Sequence, residues 1–178
     1  KTAFCIQLAD QISERGSDVL FFSLEMSKKE LVARSLARYT YIIKNEEKRY
    51  NDDLARALPE IINTRCWKFL KEYQKEHIQK AISRYNESAK NLYIYEGRYK
   101  GERIGVKEIK KITNEHYNRT GRKPVVFVDY LQILAPTDIK ATDKQNTDTA
   151  VFELKELSRD LGIPVVAISS FNRDNYYE

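Results

Sequence analysis

The chain is poor in the residues that build soft-metal sites and disulfide frameworks. It holds two cysteines and two histidines among 178 residues. Cys5 lies in an apolar stretch and Cys66 beside Trp67, with no Cys-x-x-Cys pair, so a zinc site is not expected. Isolated, unlike thiols suit buried reduced cysteines in a cytosolic protein. No run of about 20 apolar residues occurs, so neither a transmembrane helix nor a membrane partner is expected. No secretory signal is read, and the expected location is cytoplasmic. Internal repeats and low-complexity tracts are absent too. Charge of one sign is only mildly in excess: 31 Lys and Arg against 26 Asp and Glu give +5 and a pI near 9.0. That balance is compatible with a nucleic-acid partner without requiring one. The length suits one domain, and 42% hydrophobic with 32% charged residues allows a buried core under a charged surface.

The order of elements is what the chain does offer. Apolar positions Phe4, Ile6, Leu8, Ala9 and Ile12 predict a helix over Thr2–Arg15, packed on a sheet and ended by Gly16. Val19–Leu24 has strand length. Ser27-Lys-Lys-Glu30 is a capping box that opens a helix running to about Tyr39. Residues 45–91 are polar and rich in helix, with Pro59 marking a helix start. Trp67, Leu70, Tyr73, Ile78, Ile82 and Tyr85 recur at helical spacing, which suits a packing face better than a base-stacking platform. Leu92–Tyr95 reads as a short strand. Gly97, Gly101 and Gly105 punctuate a basic loop from Arg98 to Arg103, read as solvated, with DNA phosphate contact as the alternative. Val106–Tyr117 is an amphipathic helix. Val125–Asp129 is a strand of buried type, and Pro136–Thr149 reads as a mobile polar loop. Val151, Leu154, Leu157 and Leu161 form a helical stripe, and Val165–Ser169 reads as another buried strand. Strands alternating with helices imply an α/β fold, mainly a parallel sheet with helices on both faces.

Four places lie at strand ends or at the opening of the first helix, where ligands bind in open α/β sheets. Lys1-Thr2 before an apolar helix is how a phosphate-binding loop ends, with Lys on the outer phosphates and the Thr hydroxyl on magnesium. A chance chain start reads the same, and the cradling glycines are not in the sequence. Glu25, just past a strand, is placed to polarise a water. A first-turn helix acid has the same position. Asp129 ends an apolar run, as a carboxylate holding hydrated magnesium does, or as a plain strand terminator does. Ile168-Ser-Ser-Phe-Asn172-Arg173 is a strand tip with small polar residues, fit to sense a phosphate or simply to turn the chain.

Taken together, Lys-Thr opening a helix, then Ser-Leu-Glu-Met, Asp-Tyr-Leu-Gln and Ile-Ser-Ser-Phe-Asn-Arg resemble the DnaB-type replicative helicases. The motifs stand in the same order, and the resemblance spans nearly the whole chain. It implies a RecA-like P-loop ATPase core, one partial domain over residues 1–178, truncated at both ends and belonging to a longer protein. It implies ATP and Mg2+ as ligands. Lys1 then contacts the β- and γ-phosphates, Thr2 and Asp129 hold magnesium (Asp129 through water), Glu25 is the catalytic base and Ser170 the γ-phosphate sensor. The family usually has Gln at position 170. The shorter Ser170 reaches the phosphate only through water, which suggests a divergent member, such as one from a phage or mobile element.

The function so implied is an ATP-dependent replicative DNA helicase. A homo-oligomeric ring, hexameric in the full-length protein, couples hydrolysis to translocation on single-stranded DNA. Primase or a helicase loader is the implied protein partner. An arginine donated by a neighbouring subunit would complete the site, so the isolated residues are expected to hydrolyse ATP weakly or not at all. The alternative is a RecA-like nucleotide-binding module, a loader or regulatory ATPase, that does not unwind. Recombinase-like strand exchange fits the fold but not the Glu-Met and Asp-Tyr-Leu-Gln wording.

Overall fold

The computed structural model describes residues 1–48, 52–63, 65–99 and 101–169. Its elements are α1 (Thr2–Glu14), β1 (Val19–Ser23), α2 (Lys28–Glu46), α3 (Leu58–Ile62), α4 (Glu72–Ser88), β2 (Leu92–Glu96), β3 (Arg98–Tyr99), β4 (Glu102–Arg103), α5 (Val106–Thr120), β5 (Val125–Asp129), α6 (Asp143–Leu161) and β6 (Val165–Ala167). They fall into two compact units. A sheet unit holds Lys1, Ser17–Glu25 and the described residues from Tyr93 onward; a helical unit holds Thr2–Gly16 and the described residues of Met26–Leu92.

The sheet unit is built on strand order β2-β1-β5-β6. β1 and β5 run parallel, in register from Val19 opposite Val125 to Ser23 opposite Asp129. β6 lies parallel on the other side of β5. The runs Val-Leu-Phe-Phe and Val-Phe-Val are buried without alternation, as central parallel strands covered on both faces require. Phe21 stacks on Phe127 with ring centroids 5.6 Å apart. Leu20, Phe22, Val126 and Val128 share one core with Ile109 and Ile112 of α5 and with Ala150, Leu154 and Leu157 of α6. Gly121 and Gly162 end these two helices in the left-handed conformation, at φ 67° and 59°.

Four expectations need correction here. Pro136–Thr149 is not one loop, because α6 begins at Asp143. Thr142 caps it and Gln145 returns the bond, so a polar stretch starts a helix through capping rather than through apolar spacing. Along α6 the buried positions are Ala150, Leu154 and Leu157, and Val151 stays 48% exposed. β3 and β4 pair antiparallel where a loop was expected, while Arg98 and Arg103 are solvent-exposed as expected. β6 spans only Val165–Ala167 and is half-buried, since it closes the strand order and pairs with β5 alone among the described residues.

At the start of β1, Asp18 is clamped. His116 of α5 lies 2.8 Å from its Oδ2, and Arg122 lies 3.0 Å from its Oδ1. Asp18 and His116 are both buried, and Tyr93 meets the His116 ring edge-on at 5.0 Å. Taking away His116 leaves a buried carboxylate short of its main partner. His116→Ala is expected to lower unfolding free energy by about 3 kcal/mol, read from urea titration. A loss below about 1 kcal/mol is the ordinary scale of a surface substitution and counts against the clamp.

In the helical unit, Ser27 and Glu30 form the expected capping box, and α2 runs on past Tyr39 to Glu46. Leu36, Tyr39 and Ile43 pack against Ala81 and Tyr85 of α4. The aromatic stripe splits: Trp67 lies in a short 3-10 turn, Tyr73 in the first turn of α4, and Ile78 and Tyr85 are buried as a packing face. Pro59 sits in the first turn of α3. Neither Cys5 nor Cys66 forms a disulfide among the described residues, and Cys5 is buried. Among the described residues no helix is long and apolar enough to cross a membrane.

Asp10 is buried in α1, where it accepts from Ser35 Oγ at 2.6 Å and Arg38 Nη2 at 2.8 Å. Burial outweighs both partners and pushes its carboxyl above the ordinary aspartate range. The native state then holds this proton more tightly than the unfolded chain does. Its contribution to stability is full below the unfolded value and is lost as pH rises through the raised native value. Stability measured across that window is expected to fall with pH in the native chain, and the component to vanish in Asp10→Asn. An identical slope in the variant would remove Asp10 as its source.

Candidate active site

The carboxyl ends of β1, β5 and β6 meet on one edge. The β1–β5 register sets Ser23 opposite Asp129, both at the strand tips and both buried. The Leu24 N–H donates to the Asp129 carbonyl at 2.8 Å, which carries the chain of Glu25 past the tip of β5. The Glu25 side chain is exposed, as a group addressing a water must be. The Leu131 N–H donates to the Ile168 carbonyl at 2.9 Å, which fixes the segment after Asp129 to the end of β6. Lys1 reaches the same tip, its Nζ donating to the Ser169 carbonyl at 2.9 Å.

Asp129 is 1% exposed, and its Oδ2 is buried without a hydrogen-bond partner among the described residues. A buried carboxylate oxygen without a protein partner is costly. A hydrated cation is the partner such an oxygen suits. Among the described residues, no group of three or more His, Cys, Asp or Glu gathers to form a protein cage. Oxygen donors in small number fit magnesium, which keeps its waters and takes the rest of its shell from substrate phosphates. The donor set present therefore fits that metal.

Of the residues singled out in the sequence, Lys1, Glu25 and Asp129 belong to the sheet unit and its carboxyl edge. Thr2 is the first residue of α1, in the helical unit, half-buried. Ser170 lies outside the described residues, as do Asn172 and Arg173. One link escaped the sequence: Gln132 Nε2 donates to Ser169 Oγ at 2.8 Å. Gln132 was visible only as a motif letter. Its partner is 37 residues away, and no local periodicity signals such a pair.

The α/β fold with its parallel sheet matches the fold of DnaB-like, RecA-type ATPase domains. The chain belongs to the DnaB-like helicase C-terminal domain family, whose model matches residues 1–177. It is 30% identical over 176 residues to a probable replicative DNA helicase of Trieres chinensis, covering 98% of this chain and 33% of that protein. It is 29% identical to the replicative DNA helicase DnaB of Helicobacter pylori, covering 97% of this chain and 30% of that protein. The chain thus spans about a third of the length of these curated relatives. Among solved structures, the ATPase domain of a phage protein superposes with a TM-score of 0.74 at 25% identity, over 98% of this chain and 54% of that one. A DnaB-like replicative helicase, solved in a study of its interactions with primase, shares the fold with a TM-score of 0.77 at 24% identity, over 97% of this chain and 36% of that one.

An orphan carboxylate costs stability while no cation neutralises it. In nucleotide-free, metal-free solution, Asp129→Asn is expected to stabilise the chain by about 1 kcal/mol. The urea midpoint reads this, and a lower midpoint would show that the native carboxylate is satisfied within the protein.

Proposed function

We propose that the chain is the motor ATPase domain of a replicative DNA helicase. In this reading a homo-oligomeric ring, hexameric in the full-length protein, couples ATP hydrolysis to movement along single-stranded DNA and to duplex unwinding. The observation that carries the reading is Asp129 Oδ2, buried and unpartnered at a strand tip beside Lys1 and the Glu25 segment. Membership of the helicase family and the replicative-helicase identity of the relatives support it.

Asp129, through water, would hold magnesium, the role the family resemblance gives also to the Thr2 hydroxyl, and the metal would supply positive charge against the phosphates. Lys1 exchanges its carbonyl partner for phosphate oxygens and neutralises charge that builds on them. Glu25 orients the attacking water and draws its proton, the work of a positioned carboxylate. Ser170 takes the sensor position at the end of β6. An arginine from a neighbouring subunit would complete the charge balance, a contribution of about 10³–10⁵ in rate in related phosphoryl-transfer systems. Primase or a helicase loader is the protein partner, in keeping with the solved DnaB-like helicase described with primase. The location is cytoplasmic.

Unwinding of a forked duplex and ATP turnover by the full-length protein, beside Glu25→Gln and Asp129→Asn, test this. Glu25→Gln is expected to bind nucleotide and lose at least about 100-fold in turnover, the scale of a general base. Asp129→Asn is expected to lose magnesium-dependent nucleotide binding. Turnover by Glu25→Gln at the native rate would remove Glu25 as the base. Nucleotide binding and hydrolysis without any unwinding would favour the loader or regulatory module instead.

A further inference from the structure

The hairpin of β3 and β4 lies beside the carboxyl edge of the sheet. Its register sets Arg98 opposite Arg103 and Tyr99 opposite Glu102. Strand alternation then places both arginines on one face and the hairpin's acid, Glu102, on the other. Like charges directly opposite each other weaken a ladder. Neither arginine is neutralised by a carboxylate among the described residues. Arg98 donates to the Gly101 carbonyl at 3.0 Å and Arg103 to the Ile133 carbonyl at 3.3 Å. Both side chains are exposed.

The two arginines border one groove of about 460 Å³, together with Leu24, Glu96, Gly97 and Ile133. Leu24 is the residue whose N–H reaches the Asp129 carbonyl. The hairpin is also tied to the segment that follows Asp129: the Ile104 carbonyl accepts from Ala135 N–H at 3.0 Å, and Arg103 reaches Ile133. An anion seated in this groove would therefore pull on the same backbone that carries the magnesium carboxylate.

We propose that this groove binds the phosphate backbone of single-stranded nucleic acid, with Arg98 and Arg103 each taking one phosphate. The inference rests on the reading of the chain as a DNA motor. Guanidinium groups match phosphate oxygens in two-point geometry. Two cations fixed on neighbouring strands suit a repeating anion better than a lone nucleotide, whose phosphates already have Lys1. Binding also relieves the repulsion between the paired arginines, so the hairpin gains stability from its ligand.

The test is the salt dependence of binding of a dye-labelled oligo-dT to the chain, read by fluorescence anisotropy. Arg98→Ala/Arg103→Ala is expected to weaken binding and to flatten the slope of log K against log salt by about 1.4, two single-strand contacts' worth. Arg98→Lys/Arg103→Lys is expected to keep the slope, and this charge-conserving variant separates phosphate contact from a folding defect. An unchanged slope in the alanine variant overturns the proposal. So does equal loss of slope in the lysine variant, and so does binding of poly-glutamate by the groove in place of oligo-dT. Binding of a fluorescent ATP analogue is measured on the same wild-type sample. A chain that takes the nucleotide but no oligonucleotide overturns this inference and leaves the ATPase reading standing, whereas a chain that takes neither overturns both.

Discussion

The register of β1 against β5 is the constraint on which the rest of the sheet unit depends. It sets Ser23 opposite Asp129 and delivers the Leu24 amide to the Asp129 carbonyl. Both strands are buried on both faces, so the usual guide to register, apolar residues in and polar residues out, is missing. Polar groups at the strand ends take over that role. Asp18, held by His116 and Arg122, marks the beginning of β1. The Val125 N–H donates to the Asp18 carbonyl at 2.8 Å, so the same residue sets where β5 begins. The far end of each strand then falls at the edge that carries Ser23 and Asp129. Core packing and site geometry are one specification.

That arrangement also explains why a carboxylate at the tip of a central strand is tolerated. Asp129 is buried because its strand is central, and among the described residues its Oδ2 has no hydrogen-bond partner, the Lys1 ammonium at the same edge being engaged with the Ser169 carbonyl. A buried carboxylate oxygen without a protein partner costs stability. The Lys1 ammonium donates to the Ser169 carbonyl at the same edge.

Legibility in the sequence followed the range of each interaction. Val125–Asp129 and Val19–Ser23 were readable because a dense apolar run ending in a polar residue is a local signal. The Ser27–Glu30 box was readable for the same reason. The start of α6 was misread because Thr142–Thr149 is polar, and apolar spacing was weighed above the Thr142–Gln145 box. The Arg98–Arg103 hairpin was missed because strands of two residues are too short to show alternation. β6 was expected to be buried because its composition is that of a central strand; its place at the end of the strand order is a property of topology. For the candidate site, position alone singles out Glu25 and Asp129, and the neighbour Thr2 singles out Lys1; the structure sets Lys1, Glu25 and Asp129 at one sheet edge. The Gln132–Ser169 bond could not be read, because it exists only once β5 and β6 lie side by side.

The polar start of α6 leaves that helix with two stabilities. Ala150 is its first buried residue, and from there Leu154 and Leu157 tie it to the sheet. The turns from Asp143 to Thr149 carry no core contact of that kind. They are held by the Thr142 cap and by Asn146, whose side chain spans to the backbone of Asp138. Backbone amides of those first turns can therefore exchange with solvent by local fraying, while amides beyond Ala150 exchange only when the core itself opens. One continuous helix thus divides into a labile arm and an anchored stem, and the arm can melt or re-form without disturbing the strands that carry Asp129.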